Sequence, residues 1–264
     1  MGYSQIPNSC DSLFEKGYHH FKLEEWKQSK NLFKAYETCG NHTESLFFSL
    51  GRCYLALNQE DSCIFYNNLC DSLFKSNYHW VFGNRGIAYL NLKEYAKAEK
   101  DLNRAITIYE RQLIPLENDG WKLYRKHAWL NIALKKYQAA ETDFGLAIEE
   151  SPETAVNYCE LCELYMIKGE YNRVFSMKEK IRSLQPEIKY TIIFAFYAYC
   201  ARLLIGDGTS DEEKNLQQLL SQPFFIEWNF DDFNNALKSQ KVKKNLVKKI
   251  LKYEAQITKN NSPI

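Results

Sequence analysis

The chain has 264 residues, room for one or two domains. Its 34 basic and 33 acidic side chains nearly cancel, which excludes a surface uniformly attractive to nucleic acid. With 45% hydrophobic and 25% charged residues, the composition is neither disordered nor membrane-like. Only 11 Gly and 6 Pro punctuate it, about 6% where an average chain has about 12%, so helices are expected throughout.

From the N-terminus, residues 1–6 show no basic stretch followed by an apolar run, and Ile6 stands where a myristoylation signal would carry Ser or Thr. The longest apolar run, residues 192–201, is short for a membrane span. A cytoplasmic protein is expected, with its eight Cys reduced and mostly at packing positions.

A small-residue column then runs along the chain: Gly17, Gly51, Gly86, Ala128 and Cys162, broken by Phe196, at steps of 34, 35, 42, 34 and 34 residues. Three positions later stand His20, Tyr54, Tyr89, Asn131, Tyr165 and Tyr199. Twelve positions later come Ser29, Cys63, Ala98, Ala140 and Val174, and Pro152 and Pro186 close the last two units. Such columns describe antiparallel helix pairs, with small residues where two backbones approach and rings where they diverge. One hairpin cannot cover its own apolar face, so such units stack.

These columns resemble the tetratricopeptide repeat family. The best unit reads Phe82, Gly86, Tyr89, Leu92, Tyr95, Ala98, Leu102, Ala105, and the next Tyr124, Ala128, Leu134, Tyr137, Ala140, Phe144, Ala147, Pro152. The resemblance implies an all-α fold, a right-handed α-α superhelix of about five hairpins. The units are 10–43, 44–77, 79–120, 121–154 and 155–188, after an extension 1–9 and before a sixth hairpin-like unit and capping helices over 189–264. Glu60 and Asn67 break aromatic columns in the second unit. The 42-residue step is expected to lengthen the second helix of the third unit from Ile106 to Leu113, ahead of Pro115 and a loop over residues 117–120, the alternative being a bulging loop.

Beyond Pro186, residues 190–205 read as a buried helix stopped at Gly206. Ser210 and Glu213 form the pattern of a capping box, and Asp231 that of an N-cap. Residues 238–259 hold eight Lys and one acid, Glu254, for a local charge of +7. Its apolar spacing makes this a helix with a lysine face, expected as a cap with a polar exterior.

Catalysis is not expected. Cys159 and Cys162 form a Cys-x-x-Cys, but within a helix and without a preceding strand. The five His lack metal spacing, and no phosphate loop or nucleophile motif is present, so neither metal nor cofactor is anticipated. What remains is the groove that the resemblance implies, lined by the first helix of each hairpin. Its candidates are Phe14, Tyr18, Phe48, Arg52, Trp80, Asn84, Lys122, Arg125, Lys126 and Trp129, continuing to Cys159, Glu160, Glu163, Tyr190 and Tyr197. Asn84, Lys122 and Lys126 match positions with which some family members clamp a C-terminal carboxylate, while Phe48 and Arg52 depart from that pattern. The expected function is a non-catalytic adaptor or scaffold that holds a protein or peptide partner, with acidic or C-terminal carboxylate groups, in the groove. The alternatives are a receptor for a short signalling peptide or small ligand, and nucleic-acid or anionic-surface binding through the lysine helix. Nucleic acid is the less expected partner, given the balanced total charge.

Overall fold

The computed structural model describes residues 8–111 and 119–259. Described residues form helices and connecting turns, without strands. Six helical hairpins follow one another: α1 (Asn8–Lys22) with α2 (Trp26–Thr38), α3 (Glu44–Ala56) with α4 (Glu60–Phe74), and α5 (His79–Asn91) with α6 (Tyr95–Glu110). Then come α7 (Gly120–Ala133) with α8 (Tyr137–Glu150), α9 (Ala155–Lys168) with the broken pair α10 (Asn172–Ser176) and α11 (Lys178–Ser183), and α12 (Ile188–Ile205) with α13 (Ser210–Leu220). Two further helices are α14 (Asp231–Ser239) and α15 (Lys244–Lys259). The chain divides into two compact units, residues 1–130 and 131–264.

The small-residue column sits where helices cross. A Cβ on Gly86 would lie 2.9 Å from Leu102 Cγ and 3.1 Å from its backbone nitrogen, and one on Gly51 would lie 2.5 Å from Asn67 Nδ2. These distances leave no room for a methyl group. Asn67, the departure from the aromatic column, is fully buried against this glycine and donates to the Cys63 carbonyl at 2.8 Å.

Each hairpin turn has one construction. Seven residues after the small position stand Glu24, Asn58, Lys93, Lys135 and Gly169, all with φ between 53° and 77° in the left-handed region. The next residue's N–H reaches back to the carbonyl of the Tyr-column residue, as in Glu94 to Tyr89 at 2.8 Å and Glu170 to Tyr165 at 2.8 Å. This closes the first helix with a main-chain bond of the Schellman type.

In the first unit, Phe33, Leu46, Phe47, Leu50, Tyr66 and Val81 share a core with Cys53 and Cys70. A buried ion pair lies beside it: Arg85 Nε and Nη2 donate to Asp101 at 2.6 and 2.9 Å, tying α5 to α6, and Nη1 reaches Asn68 on α4 at 2.8 Å. Cys10 and Cys39 form a disulfide between α1 and the end of α2, contrary to the expected reduced state of all eight thiols. The other six cysteines are buried and free.

Three local expectations change. The predicted extension of the third hairpin is helical from Ile106 to Glu110 and capped at Arg111, while Leu113, Pro115, Glu117 and Asn118 lie outside the described residues, as do residues 1–7 of the N-terminal extension. No capping box forms at α13, because Ser210 is already helical and Glu213 accepts instead from the Tyr253 hydroxyl at 2.6 Å. Asp231 is likewise the first residue of α14, and its N–H is met by Asn229 Oδ1 at 2.7 Å. The apolar stretch proves to be an 18-residue helix, α12, long and apolar enough by composition to cross a membrane, but it forms the core of the second unit, with Phe196, Tyr197 and Tyr199 almost wholly buried.

Candidate functional site

In the first unit, α1, α3, α5 and the start of α7 enclose a cavity of about 810 Å³, a size that suits a small-molecule or peptide site. Seven of the ten principal groove candidates line it: Phe14, Tyr18, Phe48, Arg52, Trp80, Asn84 and Lys122. Asn84 and Lys122 meet there although the long third-to-fourth step separates them in sequence. Arg125, Lys126 and Trp129 lie further along α7 and are not among the lining residues, Arg125 standing 5.5 Å over the Trp121 ring.

The walls are aromatic. Phe14 stacks near Tyr18 with centroids 6.4 Å apart, and Phe48 meets Tyr78 edge-on at 4.8 Å. Cations stand over several rings: Lys22 over Tyr18 at 4.7 Å, Arg52 over Trp26 at 5.6 Å and Lys122 over Trp121 at 5.6 Å. Trp80 is fixed by donating its indole N–H to Asp119 at 2.6 Å, a tie between α5 and the residue before α7 that no sequence pattern announced. Glu15, Glu24 and Glu44 also line the cavity, so its charge is mixed and not simply basic.

Asn84 is the polar centre. Its side chain has no exposure, and neither Nδ2 nor Oδ1 has a hydrogen-bond partner among the described residues. A buried amide with both ends unmet costs about 1–3 kcal/mol per group.

In the second unit the corresponding positions are filled by the chain itself. Every residue of α9 from Ala155 to Ile167 is buried. Trp228, from the irregular stretch before α14, donates to Glu163 Oε2 at 2.8 Å and to the Tyr197 hydroxyl at 3.1 Å. Burial raises the Glu163 carboxyl to about 8, with Glu160 and Asp232 adding to the effect against hydrogen bonds from Tyr197 and Trp228. Gln240 Nε2 donates to the Ile167 carbonyl at 2.8 Å, holding the end of α14 onto α9. Glu163 and Tyr197, expected in an open groove, are therefore covered because an aromatic segment some sixty residues away in sequence folds back over them.

Cys159 and Cys162 are fully buried, and burial pushes both thiols up, so they hold no thiolate for redox chemistry. Among the described residues no group of three His, Cys, Asp or Glu side chains could hold a metal.

Stacked two-helix hairpins with small residues at the crossings define the helical-repeat class of protein. The tetratricopeptide repeat family matches residues 79–112, the third hairpin. Solved structures share the fold at low identity. A tetratricopeptide repeat protein from Parabacteroides merdae is 16% identical, with a TM-score of 0.62, over 94% of this chain and 85% of its own. PilF of Pseudomonas aeruginosa is 10% identical, with a TM-score of 0.62, over 92% of this chain and 96% of its own. A Rap protein complexed with Competence and Sporulation Factor is 12% identical, with a TM-score of 0.62, over 98% of this chain and 78% of its own. Comparison with curated proteins finds no match.

Proposed function

We propose that the protein is a non-catalytic adaptor that binds a peptide segment of a protein partner in the cavity of the first unit. The observation that carries this reading is the Asn84 side chain, buried on the cavity wall with donor and acceptor both unmet among the described residues. The N–H and C=O of one residue in an extended peptide can satisfy both ends at once, the C=O accepting from Nδ2 and the N–H donating to Oδ1, whereas a carboxylate can use only the donor. Phe14, Phe48 and Trp80 supply apolar anchor surface, and Arg52 and Lys122 stand ready for an acidic side chain or a terminal carboxylate. The repeat fold and its occurrence in protein complexes such as Cut9–Hcn1 support a protein partner.

Selection of binding peptides from a random displayed library, followed by calorimetry, tests this. Asn84→Ala is expected to weaken selected peptides about 5- to 150-fold, equivalent to about 1–3 kcal/mol. Arg52→Glu is expected to shift the selected sequences away from acidic residues. Peptide binding indifferent to both changes would remove the cavity as the site.

A further inference from the structure

A second cavity, of about 640 Å³, lies wholly within the second unit between α10–α11, α12 and α13. It exists because the repeat pattern fails there. The second helix of the fifth hairpin breaks at Met177, and α12 turns Ala195 and Ala198 toward the gap, after the small-residue column has been replaced by Phe196. Phe175, Ile181 and Phe194 supply apolar wall.

Its two ends differ in charge. On α11, Lys178 and Arg182 stand one turn apart, both exposed and, among the described residues, in no ion pair. At the other end Arg202 lies 4.4 Å over the Phe175 ring and is already neutralised by Asp207 at 3.0 Å and Glu212 at 3.1 Å. Unbalanced positive charge therefore sits at one end of an apolar trough that follows α12 from Thr191 to Arg202, about 16 Å of helix.

We propose that this trough binds a single-chain amphiphilic carboxylate of the fatty-acid type, its alkyl chain along α12 and its head group between Lys178 and Arg182. Side chains four apart on a helix are neighbours, so the two cations can share one carboxylate through charge-assisted hydrogen bonds. A volume of several hundred Å³ accommodates such a molecule. A peptide fits the trough less well, because its backbone groups would be desolvated over alanine and phenylalanine surface. This site is separate from the Asn84 cavity and stands or falls without it.

Calorimetric titration of the full chain with decanoate and dodecanoate, both below their micelle concentrations, tests the site. Dodecanoate is expected to bind about 15-fold more tightly, the effect of two more buried methylenes at about 0.8 kcal/mol each. The double change Lys178→Glu with Arg182→Glu is expected to cost at least about tenfold. Ala198→Trp, which fills the trough, is expected to abolish binding, and Thr191→Trp at its edge does the same job if the first variant fails to fold by circular dichroism. Absence of dodecanoate binding at about 1 mM, equal affinity for the two chain lengths, or indifference to charge reversal each overturns the proposal.

Discussion

Glu163 carries a carboxyl with no solvent exposure, held under the indole of Trp228. Its affinity for a proton is raised from 4.5 to about 8 in the fold, chiefly by burial. The folded state thus binds a proton that the unfolded chain releases over that interval, so this group's contribution to stability is full below about pH 4.5 and is lost as pH rises toward 8. Glu163→Gln keeps an acceptor for Trp228 and removes the titration. The variant is expected to be more stable than the parent at pH 8 by a few kcal/mol, at about 1.4 kcal/mol per pKa unit, and equal to it near pH 4. Chemical denaturation at the two pH values checks this, and a constant difference at both would mean that Glu163 does not titrate between them. Nothing in the sequence announces this arrangement, since Glu163 and Trp228 are far apart in the chain and each reads alone as a groove residue and a loop aromatic. The packing glycines were legible for the opposite reason: the Gly86 contact with Leu102 recurs at a fixed step and leaves a column.

At the scale of the element, the hairpin turn is the informative case. Its left-handed residue is Gly only at Gly169, while Glu24, Asn58, Lys93 and Lys135 occupy the same conformation with a Cβ. The closing hydrogen bond is main chain to main chain, so side-chain patterns carry little trace of it, and the repeat columns locate the turn without revealing its geometry. Lys93→Gly is expected to raise stability by about 0.5–1 kcal/mol, because the strain of a left-handed L-residue there exceeds the added chain entropy of glycine. Thermal or urea denaturation reads the change, and a loss of stability would show that Lys93 contributes a contact worth more than the strain. The second helix of the fifth hairpin, by contrast, breaks at Met177 without a proline or glycine to signal it, so the trough beside α12 was invisible in sequence.

For the whole molecule, the two units treat the same groove positions differently. The first leaves a cavity around Asn84, whereas the second fills its counterpart with Trp228, Ile226 and Phe230, all three anchored in the second unit. Trp228→Ala is expected to cost about 2–3 kcal/mol in the second unit, because it removes a half-buried ring and leaves Glu163 without its indole donor. Hydrogen exchange is expected to show faster opening of α9 and α12 with α3 to α6 unchanged, and peptide binding at Asn84 preserved. Uniform loss of protection across both units would mean that they unfold as one. The position of the first-unit cavity was legible because groove residues fall at fixed places on first helices. Its bonding was not, since only the folded chain shows Trp80 claimed by Asp119 and the Asn84 side chain unmet among the described residues.

The last described helix bears on how a stack of repeats avoids growing. α15 packs on α12, and Tyr253 bonds to Gln217 and Glu213 on α13, so it occupies the place where another hairpin would add. Its buried side is Ile250, Tyr253 and Ile257, while Lys244, Lys248, Lys252 and Lys259 fall within one quarter-turn of its exposed side. A second molecule stacking on that face would have to strip water from these lysines where an added hairpin needs an apolar seat. The lysine helix thus gives the described stack a wet, charged end, and the one acid of residues 238–259, Glu254, accepts a hydrogen bond from Asn234 at 2.9 Å.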